Sequence, residues 1–129
     1  MLLLRAAVLC VATTILAGCA VLTADGERLG LTSPEFRAYV ERVFREQNRV
    51  ADQFAFALEA VRDAPSAVTA AEQSLLDACA ALNELATARR DERQLSLSQR
   101  STAARSAPGC ERTVRASVAT LDAWQATRP

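Results

Sequence analysis

Between Phe36 and Val61 the apolar residues of this chain follow a spacing that suits only a helix. Phe36, Val40, Val43, Gln47, Val50, Phe54, Ala57 and Val61 recur at alternating steps of four and three, which places them on one stripe of an α-helix. Seven of these eight are apolar. Tyr39, Phe44, Ala51 and Leu58 widen the stripe into a face that can meet two neighbours. Ser33 ahead of Pro34 supplies an N-cap and a first-position proline. Pro65 predicts the stop, near Arg62 or Asp63. A long helix with such a face needs partners, and the rest of the chain must provide them.

The following residues read as those partners. Ser66 is placed to cap a second helix whose face carries Val68, Ala71, Leu75, Cys79 (or Ala78), Leu82, Leu85 and Ala86. It fades into the charged run Arg89 to Arg93. Ser96 followed three residues later by Gln99 is the pattern of a capping box, so a helix restarts there. The stretch Ser106-Ala107-Pro108-Gly109 is expected to interrupt it. A last segment then carries Cys110, Val114, Val118, Leu121 and Trp124.

The opening of the chain has a different character. One positive charge, Arg5, precedes an uncharged apolar run from Ala6 to Ala17. At ~1.5 Å per residue this run is too short for a ~30 Å hydrocarbon core, but it suits the apolar region of an export signal. It ends on Leu16-Ala17-Gly18-Cys19, which resembles the lipobox of bacterial lipoproteins. The resemblance covers residues 1–19 only. It implies a signal peptide over 1–18, removal of that peptide, and diacylglycerol attached to the sulfur of Cys19. Cys10 is the poorer acceptor, since bulky Leu9 precedes it. Ala20 follows the cysteine where an Asp would mark inner-membrane retention, so the resemblance implies a lipid anchor in the outer membrane, facing the periplasm. Residues 19–32, with Gly26 and Gly30 and no clear period, read as a lipidated tether reaching at most about 40 Å. Residues 33–129 form the helical domain.

Two cysteines are then left, Cys79 and Cys110. In an exported protein an even pair is most simply a disulfide, and without His or further thiols the pair is not expected to hold a metal. The two lie symmetrically about residue 94.5, so a helical hairpin turning near Glu92 to Leu95 sets them side by side. The expected fold is all-α: a small antiparallel bundle in which the long first helix packs on a hairpin with a broken return arm.

Residue types restrict the chemistry. Histidine is absent and every basic residue is Arg, so no common general base near neutral pH and no imidazole ligand is available. No glycine-rich phosphate loop occurs. Every Asp and Glu reads as part of a solvated helix face. The expectation is a non-enzymatic protein with no cofactor and no nucleic-acid partner, held to the membrane by its N-terminal lipid and binding a protein or envelope polymer.

Three features bear on that binding. Gln47 inside the seam either sets pairing register from a buried position or lies at the exposed edge of a slightly rotated face; the second is preferred. Phe56, off the seam, is either a partner contact or covered by a third helix, again with the second preferred. Residues 89–115 hold seven Arg against three acids, while 20–88 hold six Arg against eleven. That polarity suits anionic lipid or polymer, or complementarity between packed helices. Leu95, Ser96 and Gln99 resemble one copy of the LTxxQ motif of helical periplasmic stress chaperones, with Ser in place of Thr. A small helical lipoprotein with one disulfide also resembles in outline the pilotins that escort secretins. A pilotin-like or chaperone role and a purely structural envelope role are therefore the alternatives.

Overall fold

A computed structural model describes residues 20–128. Strands β1 (Ala20–Leu22) and β2 (Arg28–Gly30) are followed by helices α1 (Pro34–Glu59), α2 (Ser66–Arg90) and α3 (Leu97–Ala126). The lipobox Leu16 to Cys19, Cys10 and the rest of the expected signal peptide lie outside the described residues.

The bundle follows from the seam. In α1 the buried residues are Phe36, Tyr39, Val43, Gln47, Val50, Phe54 and Ala57, a stripe at steps of three and four that turns both α2 and α3 against it. Ser33 caps the helix, its Oγ accepting from the Phe36 amide at 3.0 Å, and Pro34 occupies the first position. Val61, the last expected member of the seam, falls beyond the helix, which ends at Glu59 with Ala60 as its cap.

The start of α2 departs slightly from expectation. Pro65 takes the cap position with no side-chain hydrogen bond, and Ser66 is the first helical residue. Val68, Leu75, Cys79 and Leu82 are buried as expected, joined by Ala88. The hairpin turn is built by local chemistry. The amide of Arg93 donates to the Ala88 carbonyl at 2.8 Å and that of Glu92 to the Arg89 carbonyl at 3.3 Å. This is the paired pattern of a Schellman motif, and it requires a left-handed residue at Glu92 (φ 55°). Three residues after Arg93 the capping box starts α3: Ser96 Oγ accepts from the Gln99 amide at 3.2 Å, and Gln99 Oε1 accepts from the Ser96 amide at 2.9 Å.

The turn brings the cysteines together. Cys79 and Cys110 form a disulfide with Cα atoms 4.8 Å apart, both fully buried. Small side chains line the rest of this contact: Ala103 and Ala107 are buried, and Ser117 Oγ donates to the Ala71 carbonyl at 3.3 Å.

Three expectations are corrected. First, the return arm is not broken, because α3 runs through Pro108 without interruption. A proline inside a helix costs about 3 kcal/mol through its missing N–H and ring clash. Here packing outweighs it: Ala107, Pro108 and Cys110 are all buried, and the disulfide fixes the helix two residues further on. Second, residues 20–30 do not form a free tether. They fold into an antiparallel hairpin that pairs Ala20 with Gly30 and Val21 with Leu29. Val21 and Leu29 are each 8% exposed and join the core. The turn is held by Gly26 at φ +82°, with the Thr23 amide donating to the Glu27 carbonyl at 2.8 Å. Third, the third helix, α3, does not cover Phe56, which lies off the buried stripe of α1 and is 78% exposed.

Candidate functional site

Two features of the fold go beyond packing: a buried carboxylate, and an open groove at the turn end of the bundle.

The carboxylate is Glu111, next to the bridged Cys110 and only 4% exposed. It draws donors from three parts of the chain. Tyr39 Oη donates at 2.7 Å and the Ala24 amide at 3.3 Å, both to Oε2. Arg42 Nη1 donates at 3.1 Å and Arg115 Nη2 at 2.8 Å, both to Oε1. Arg115 also forks onto Asp25, at 2.7 and 2.9 Å, and the Arg42 guanidinium stacks 5.3 Å over the Tyr39 ring.

These contacts set the charge states. Burial works against ionisation of Glu111, but hydrogen bonds from Tyr39, Arg42 and the Ala24 amide outweigh it and hold the carboxyl below its ordinary range. Burial first, and then the bond to Glu111, push the Tyr39 hydroxyl well up. The Arg115 hydrogen bond lowers Asp25. The network therefore locks the N-terminal hairpin onto α1 and α3 with fully committed groups, so its role is to hold the fold together. Nothing in the residue pattern marked Glu111: Arg115 is an ordinary i,i+4 neighbour on the same helix, and its other partners, Tyr39, Arg42 and Ala24, come from 69 to 87 positions away.

Gln47 belongs to the interior as well. It is 1% exposed, and its Nε2 donates to Asn83 Oδ1 and Asn48 Oδ1, each at 2.7 Å. The preferred exposed-edge reading is thus overturned. The amide sits between α1 and α2, where a slip by one residue would leave it unsatisfied.

The groove is the surface feature best suited to binding. It has a volume of about 720 Å³ and lies between the first half of α1, the end of α2 and the start of α3. Half-buried Val40, Phe44 and Leu85 form an apolar floor over the buried Phe36 and Leu82, and Arg37, Arg89, Arg93 and Arg100 stand around it. One acid, Glu41, also lines it, and that residue is paired with Arg45 at 3.5 Å. Arg93 pairs with Glu84 at 2.9 Å, and Arg100 donates to Gln94 at 3.2 Å. Arg37 and Arg89 have no ion-pair partner among the described residues. The basic stretch 89–115 is therefore divided: Arg115 is spent on internal contacts, while Arg89, Arg93 and Arg100 converge with Arg37 on one opening.

Among the described residues no three His, Cys, Asp or Glu side chains are grouped to hold a metal ion, and no helix is long and apolar enough to cross a membrane. No family model, curated protein or solved structure matches the chain.

Proposed function

We propose that the mature chain begins at Cys19 and is held by acyl chains on that residue at the periplasmic face of the outer membrane. It acts without catalysis, by binding another envelope component in the arginine-rimmed groove. The groove carries the binding half of this reading. An open apolar floor beside uncompensated positive charge is the composition of an interaction surface. The anchoring half rests on Leu16 to Cys19, and a buried Cys79–Cys110 bridge accords with an oxidising compartment.

A pilotin-like or chaperone role is the second reading. It is favoured by the course of the groove along the first half of α1, where an amphipathic segment would have room to lie. A purely structural role would leave the open floor without a purpose.

Photocrosslinking tests the proposal. A benzophenone side chain at Val40, on the groove floor, should form adducts with an envelope component in intact cells. The same group at Phe56, exposed but away from the groove, serves as reference. Equal adduct yield at the two positions, or none at Val40, would contradict binding in the groove.

A further inference from the structure

The strand register says which surface the groove meets. The described chain enters the fold at Ala20, which pairs with Gly30. Directly after Gly30, Leu31, Thr32 and Ser33 form one wall of the groove. A group attached to the residue before Ala20 is thus only about 3.8 Å of chain from the hairpin end beside that wall. The tip of the hairpin lies the other way, with Ala24 and Asp25 on Glu111 and Arg115, roughly 20 Å along α3 from its start. An acyl anchor on Cys19 therefore holds the groove end of the bundle at the bilayer surface, with Arg62 just past the far end of α1, roughly 35–40 Å away.

We infer that the groove binds an anionic phospholipid of the anchoring membrane, with the phosphate oxygens on the arginine rim and an acyl chain along the floor. The inference rests on the lipid anchor proposed above. Its chemistry follows from the lining. Val40, Phe44 and Leu85, half-buried along the floor, call for an apolar ligand segment. With Arg93 paired to Glu84 and the one lining acid, Glu41, paired to Arg45, three groove arginines (Arg37, Arg89 and Arg100) have no carboxylate partner among the described residues and call for an anionic head. Guanidinium groups meet phosphate oxygens in forked pairs. A zwitterionic lipid brings no net charge to satisfy Arg37 and Arg89. An acidic peptide matches the charge equally well, but the bilayer is the surface that the anchor delivers to this opening.

The lipidated mature product of the full chain, reconstituted into vesicles, gives the test. One set contains phosphatidylcholine alone and the other phosphatidylcholine with phosphatidylglycerol. Flotation shows whether the protein is anchored, and phenylglyoxal modification read by mass spectrometry gives a rate for each arginine. An arginine at an anionic surface is held there by about a fivefold factor. Arg37, Arg89, Arg93 and Arg100 should accordingly react about fivefold more slowly in the anionic vesicles, while Arg62 reacts alike in both. Equal rates for the groove arginines in both sets overturn the inference and leave the anchor standing. Parallel slowing of Arg62 overturns it too, since the whole surface would then be associating. A protein that floats with neither set refutes the anchor, and the inference falls with it.

Discussion

Replacing Glu111 with Gln keeps the side chain's shape and removes its charge, so it isolates what the buried carboxylate does. In the native protein Oε1 accepts from Arg42 at 3.1 Å and Arg115 at 2.8 Å, and Oε2 from Tyr39 at 2.7 Å. A hydrogen bond to a charged group contributes roughly 1.5–3 kcal/mol. The two arginines are each more than half exposed at the side chain, so their share must be discounted heavily for solvent screening. The buried bond to Tyr39 is not discounted. The amide also turns an N–H toward the guanidinium groups or the phenol. Together these give a loss of about 2–3 kcal/mol. Urea unfolding followed by far-UV circular dichroism, with the disulfide intact, measures it.

The dependence on pH carries a second check. Because the folded-state value of Glu111 lies below its ordinary 4.5, its contribution is complete above the unfolded value and is lost as the pH falls through the folded one. The gap between native protein and E111Q should thus be full at neutral pH and shrink in acid. Tyr39→Phe should cost about 1–2 kcal/mol alone, and combined with E111Q less than the sum of the two. A gap below about 0.5 kcal/mol at neutral pH, or one that does not narrow in acid, would refute the network as described.

Other perturbations test the packing. Phe54→Ala, at a fully buried site, should cost about 3–5 kcal/mol, whereas Phe56→Ala should stay within about 0.5 kcal/mol; the same urea titration reads both. Non-reducing peptide mapping should recover Cys79 and Cys110 in one linked fragment, and replacing both with Ala should destabilise by roughly 3–4 kcal/mol on the chain-entropy argument. Glu92→Gly relieves a left-handed residue at the α2 terminus (φ 55°) and should stabilise by about 0.5–1 kcal/mol, seen as a higher melting midpoint with unchanged helix content.

Legibility in the sequence followed the range of the interaction. The seam of α1, the capping box at Ser96 and the turn implied by Cys79 and Cys110 could be read because each is a local pattern or a spacing with one geometric solution. The N-terminal hairpin carried a local signal as well. Asp25-Gly26 between short apolar stretches favours a turn, but two glycines in a short segment read more readily as a tether. Pro108 misled for the opposite reason: a strong local penalty was overridden by burial on both sides and by a covalent bridge. Gln47 and Glu111 depended on distant partners. Asn83 lies on another helix, and Tyr39 and Arg42 sit 72 and 69 positions from the acid they serve. A polar residue in a seam and an acid beside a cysteine have the same local appearance whether buried or solvated. The groove combined both cases: the basic stretch was visible, but its convergence with Arg37 was a product of the fold.

The central claim, a binding domain held to a membrane by lipid on its first mature residue, is tested most directly at Cys19. The full chain is expressed in a bacterial host with an outer membrane, extracted from the envelope, and its N-terminal peptide is weighed. The peptide should begin at Cys19 and carry diacylglycerol on its sulfur, with Cys19→Ala giving an unlipidated precursor. An unmodified Cys19, or acyl mass on Cys10 instead, would contradict it.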